Sequence, residues 1–185
     1  MKTKSSIQIV LTAVFAALYA VGVVFLAPIS FQVFQVRVAD ALLPLAMVFG
    51  WPAILGLSLG AFVANVFGGL GPVDMIGGAL ANFIGTLVAW RIVTRNGMRW
   101  TPVGVGAEIL VVTLVVGTYL SYLLAIPLLL SWLGILLGSL MAIGMLGSIL
   151  LYTLLRRNIV TLLESHGLCE TRPARKGNRA KALSS

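Results

Sequence analysis

Between Thr101 and Leu155 the chain contains no Lys, Arg, Asp or His, and one acid, Glu108. A single helix of that length, at ~1.5 Å rise per residue, would far exceed a ~30 Å hydrocarbon core. Two helices turning near Ala125-Ile126-Pro127 are expected instead. Earlier in the chain the pattern repeats. Apolar spans are expected at roughly Ser6 to Ala27, Ala39 to Phe49, Ala53 to Phe67 and Val73 to Val93. The second is too short for a full perpendicular crossing, so it is expected to be short or inserted obliquely. Pro28, Gly50-Trp51-Pro52 and Gly68-Gly69-Leu70-Gly71-Pro72 punctuate the series. Only 10% of residues are charged and 59% are hydrophobic, whereas soluble domains average about 25% charged. The chain therefore reads as an all-α membrane protein with six transmembrane helices in residues 1–157. A basic tail over 158–185 is expected to be disordered. Met1-Lys2-Thr3-Lys4 ahead of an apolar run could pass for a signal peptide. More apolar spans follow instead of a polar mature region, so it is read as a retained first helix.

A net charge of +8 first suggests nucleic acid, but the distribution of the charge argues against that partner. In the six-span arrangement every Lys and Arg except Arg37 lies in the N-terminus, the Arg91–Arg95–Arg99 loop or the C-terminus. Basic residues favour the cytoplasmic side, which predicts cytoplasmic N- and C-termini. Arg172, Arg175, Lys176, Arg179 and Lys181 close the chain. They suit anionic membrane lipid, or simply a solvated tail. His166 and Cys169, the lone residues of their types, sit in that tail, so neither a metal site nor an intrachain disulfide is expected.

Of the five acids, Glu164 and Glu170 lie in the tail and read as solvated. Asp40, Asp74 and Glu108 lie in or at the ends of spans, where an ionisable group usually faces a cavity or a partner. Each also has a structural alternative. Asp40 is one turn from Arg37 and suits an ion pair. Asp74 suits a helix N-cap. Glu108 suits snorkelling toward the inner interface, although its side chain is short for that. Asn65 and Asn82 can each donate and accept, toward a heterocycle edge or across a helix interface. Tyr119, Tyr122 and Trp132 suit an interfacial belt or the stacking of a flat ligand. Ile29 to Val38 reads as an extended or re-entrant loop. No Ser-His-Asp set and no GxxxxGK[ST] loop is present, so an enzyme is the weakest class and no cofactor is expected. In the first span, Ala13/Ala17 and Ala16/Ala20 form two small-xxx-small pairs, suited to close helix packing inside or outside the bundle.

Three stretches together resemble the QueT family. They are Ala27-Pro28-Ile29-Ser30, Gln35-Val36-Arg37-Val38-Ala39-Asp40-Ala41-Leu42, and the run from Gly60 through Ala64-Asn65 and Gly68-Gly69-Leu70-Gly71-Pro72 to Asp74. That family is associated with queuosine precursors and is similar to the S-components of energy-coupling factor (ECF) transporters. The chain departs from it in having Asp40 where the family usually has Glu. The resemblance implies an S-component-like six-helix bundle in a prokaryotic plasma membrane. It implies capture of a deazaguanine base from outside by Arg37, Asp40, Asn65, Asp74, Asn82 and Glu108, under a lid formed by the Pro28–Val38 loop. It implies docking of Ala13, Ala16, Ala17 and Ala20 onto an ECF transmembrane coupling subunit driven by two ATPase subunits. Another vitamin or nucleobase as ligand, and a membrane scaffold without transport, remain the alternatives.

Overall fold

The computed structural model describes residues 2–26 and 37–155, and all regular structure among them is helical. Five helices are long and apolar enough to cross a membrane. They are α1 (Lys2–Phe25), α3 (Trp51–Gly68), α4 (Pro72–Asn96), α5 (Thr101–Leu124) and α6 (Leu128–Leu154). The expected second span is α2 (Val38–Phe49), a buried segment of 12 residues whose first eight, Val38–Leu45, are 3-10 helical. A 3-10 helix rises ~2.0 Å per residue, so α2 covers roughly 22 Å, short of a ~30 Å core. The described residues thus hold five helices long enough to cross a membrane and one short buried helix. Most of the Pro28–Val38 loop, including the expected lid, and the tail 158–185 lie outside the described residues.

The breaks follow from local chemistry. Gly69 (φ 71°) ends α3 in the left-handed region and Gly71 (φ 91°) precedes Pro72, which opens α4. Between α5 and α6 the chain turns through Ala125, with Pro127 preceding the first turn of α6. The helices carry exposed Ile, Leu and Val on their outer faces, among them Ile9, Val66, Leu80, Leu110, Leu129 and Ile149. Such a surface suits lipid and not water, and the chain is a multi-pass membrane protein. At one end Trp51 packs against Phe83 and Trp90, at 6.5 and 5.9 Å between ring centres, and Arg91 lies 5.9 Å from the Trp90 ring. Exposed Arg95, Arg99 and Trp100 complete this aromatic and basic rim. Phe25, Phe67 and Tyr122 are exposed at the opposite end.

Helix pairing sets the interior. On α3, Gly56 and Gly60 form a small-xxx-small pair that lies directly on the backbone of α1. A methyl on Gly56 would meet the Thr12 carbonyl at 2.5 Å, and one on Gly60 the Ala16 carbonyl at 2.7 Å. Residue numbers rise together along this contact, so α1 and α3 run parallel. Parallel neighbours need a return segment, and α2 supplies it. Ala39 packs on Gly22 near one end of α2, and Phe49 meets Phe15 edge-on at 5.2 Å near the other. The successive helices α3 to α6 then alternate in direction. Within α6 the stretch Leu140–Gly147 is wound as a π-helix. A π turn is broader than an α turn and often marks a functional position. Here it brings Gly147 against Pro44 and the Ala41 carbonyl of α2.

Candidate functional site

All three acids among the described residues are buried: Asp40, Asp74 and Glu108. So is Arg37, whereas Arg91, Arg95 and Arg99 are exposed. The fold thus gathers ionisable side chains in its interior, where charge is expensive to keep.

Asp74 lies in the first turn of α4, where the positive end of the helix dipole favours an anion. It is not the N-cap; Gly71 holds that position. The Asp74 carboxylate instead faces inward. Its Oδ1 accepts a hydrogen bond from the Tyr119 hydroxyl at 2.9 Å and lies 3.7 Å from Arg37 Nη2. Asn65, near the end of α3, donates its amide to the Asp74 carbonyl at 2.8 Å and so ties α3 to α4 across the Gly69–Gly71 turn. Asn65 Oδ1 and Asp74 Oδ2 are buried without a hydrogen-bond partner among the described residues.

Asp40 lies on α2, and its Oδ1 accepts the Tyr19 hydroxyl of α1 at 2.5 Å. Arg37 is also within electrostatic range of Asp40, so one guanidinium serves both aspartates. It pairs with Asp74, 37 positions further along the chain, and not only with the neighbour one turn away. Asn82 of α4 reaches the Leu57 carbonyl of α3 through a long bond of 3.4 Å. Arg37, Asp40, Asn82 and Ser139 share the wall of an internal cavity with Val112, Val116, Ile135 and Gly138. The cavity is about 10 Å³, room for roughly one water.

Glu108 of α5 is fully buried, and neither carboxyl oxygen has a hydrogen-bond partner among the described residues. It sits one turn from Val112, on the stripe of α5 that lines the cavity. Gly85 lets α4 approach here, with ordinary room beside the Glu108 backbone.

Arg37, Asp40 and Asn82 are therefore brought to one cavity, with Glu108 a turn away. Asn65 and Asp74 hold the adjoining layer around Arg37. The four alanines of α1 divide into two pairs. Ala13 and Ala17 are exposed, while Ala16 packs on Gly60 and Ala20 is partly buried against the core. Of the aromatics, Tyr122 is 84% exposed, as a belt residue would be, but Tyr119 turns inward to Asp74. Trp132 packs on Gly117 and donates to the Thr118 hydroxyl at 3.1 Å.

Sequence reasoning missed Tyr19, Ser139 and the pair Gly77-Gly78. The signal for Tyr19 was present: a phenol inside an apolar span, beside the small residues Ala16, Ala17 and Ala20, needs a partner for its hydroxyl when buried. Gly77 gives room to the Tyr119 ring, and Gly78 to the Asn65 amide and Arg37. Nothing local in the sequence showed either.

Chemically the cluster offers carboxylates to accept paired N–H groups, amides that both donate and accept, and a guanidinium for a carbonyl oxygen. Among the described residues no group of acids, histidines or cysteines is placed to hold a metal ion. No curated protein and no solved structure matches the chain. The sequence model described as QueT transporter matches residues 9–156, a range that takes in every residue of the buried cluster; the chain belongs to the QueT transporter family.

Proposed function

We propose that this transporter-family chain is the substrate-capture subunit of an ECF-type importer in the prokaryotic plasma membrane. Its ligand is a queuosine precursor, a deazaguanine base. The observation that carries the reading is the buried cluster of Arg37, Asp40, Asp74, Asn82 and Glu108 in a bundle whose interior is mostly apolar. A guanine-like edge presents adjacent N–H donors that Asp40 or Asp74 would accept, with a carbonyl for Arg37 and the amides completing the set. The 10 Å³ cavity is then the closed form of a larger site.

Five long helices and α2 form the transmembrane body, with α2 returning the chain between parallel α1 and α3. The end bearing Arg91, Arg95 and Arg99 faces the cytoplasm with both termini, by the bias of basic residues. Labelling of a cysteine placed at Arg95 from outside would overturn this orientation. The exposed pair Ala13 and Ala17 supports docking to a coupling subunit driven by two ATPases, because small side chains allow close approach. Ala17→Trp is expected to leave ligand binding intact and to abolish copurification of the coupling subunit. Unchanged copurification would return this face to lipid.

Calorimetric titration of the purified protein with a deazaguanine tests the ligand. Asp74→Asn preserves size and removes charge. It is expected to weaken binding by ~1.5–3 kcal/mol if the carboxylate takes a charge-assisted bond. Wild-type affinity in folded Asp74→Asn would exclude this aspartate from the site.

A further inference from the structure

The two aspartates have partners and the glutamate has none. Asp40 takes the Tyr19 hydroxyl at 2.5 Å, and Asp74 takes that of Tyr119 at 2.9 Å with Arg37 at 3.7 Å. Glu108 is equally buried, yet both its oxygens lack a hydrogen-bond partner among the described residues. No exposed route to water relieves it, because its relative exposure is 0%. It lies within electrostatic range of Asp40, which lines the cavity, so two carboxyl groups share that neighbourhood. Among the described residues three buried carboxyl groups therefore share one buried guanidinium. A neutral ligand leaves that imbalance in place. A ligand with a cationic arm reduces it, because a buried carboxylate is tolerated when an ammonium donates to it.

The position of Glu108 suits such an arm. A ring held at Arg37, Asp40 and Asn82 lies beside Val112 of α5. One helical turn further along the same stripe, ~5.4 Å away, is Glu108. Val112 and Glu108 thus stand on one face of α5, with the carboxyl group a turn from the cavity lining.

Resting on the capture of a deazaguanine argued above, we infer that Glu108 receives a primary ammonium group of the ligand. It thereby selects the cationic over the neutral form of one ring. This makes Glu108 a specificity-determining residue, distinct from the aspartates that hold the ring.

The test uses the full chain in detergent and two 7-deazaguanines that differ only at position 7, one aminomethyl and one nitrile. The wild-type protein is expected to bind the aminomethyl compound more tightly. Glu108→Gln, which keeps shape and removes charge, is expected to weaken the aminomethyl compound about 10- to 100-fold while leaving the nitrile within about threefold. A structural role for Glu108 would lower both affinities together, and that result overturns the inference. Unchanged affinity for both compounds overturns it too. Equal wild-type affinity for the two compounds overturns the inference but leaves the deazaguanine reading standing. Wild-type protein that binds neither removes both. Should Glu108→Gln fail to fold, Glu108→Asp keeps the charge and shortens the reach. Selective weakening of the aminomethyl compound in that variant supports the assignment, and equal weakening of both sinks it.

Discussion

Arg37→Met is expected to destabilise the folded protein by about 3–5 kcal/mol, the range for removing one partner of a buried charged pair. The replacement keeps an apolar stem of similar reach and deletes only the guanidinium. What remains is Asp74 with 0% exposure, Asp40 with 4% and Glu108 with 0%, and no other buried cation among the described residues. Asp40 and Asp74 would retain only the hydroxyls of Tyr19 and Tyr119. The cost therefore comes from the acids left behind more than from the lost contact at 3.7 Å. A second substitution distinguishes these causes. Arg37→Met combined with Asp74→Asn should recover part of the loss, because one fewer carboxyl group is stranded. Thermal unfolding in mild detergent gives the measurement. If the single variant unfolds with the wild type, Arg37 is not the counterion of this cluster.

Gly78→Ala is expected to be nearly as damaging, although it adds one methyl group. That methyl would press into the Asn65 amide nitrogen, with Arg37 Nη1 3.5 Å away. Asn65 cannot simply swing aside, because its amide donates to the Asp74 carbonyl at 2.8 Å from a fully enclosed position. Moving it leaves buried polar groups unpaired, at roughly 1–3 kcal/mol. Forcing atoms into a packed interior adds about 1–3 kcal/mol more. A combined loss of about 2–5 kcal/mol is expected, together with loss of ligand binding. Gly106→Ala is the control. It lies on the exposed face of α5 with nothing within 4 Å of the added carbon. Its stability should change by no more than about 1 kcal/mol. Equal behaviour of the two variants would mean that the Asn65–Arg37 layer is not tightly packed.

The chain's helical boundaries were largely legible. Pro52, Pro72, Pro127, Gly69 and Gly71 act on their immediate neighbours, and the observed ends follow them closely. The candidate polar residues were legible too, since Asp40, Asn65, Asp74, Asn82 and Glu108 are conspicuous in apolar surroundings. What each of them faces was not. An amphipathic helix in water reveals its buried face through periodicity. Helices apolar on every side do not, so the sequence carries little sign of their rotation. Asp74 illustrates the consequence: its position suits a cap, but its carboxylate turns inward to Tyr119 and Arg37.

By itself the sequence determined that this chain enters a membrane, how its apolar length divides, and which groups are costly to bury. These are local matters of length, hydropathy and turn chemistry. The tertiary structure alone decided that α1 and α3 run parallel on Gly56 and Gly60. It also decided that Tyr19 meets Asp40, and that Arg37 reaches Asp74. Such meetings depend on the rotation and depth of helices distant in sequence. Those are set by where small residues let backbones approach, and that contact exists only once both helices are in place.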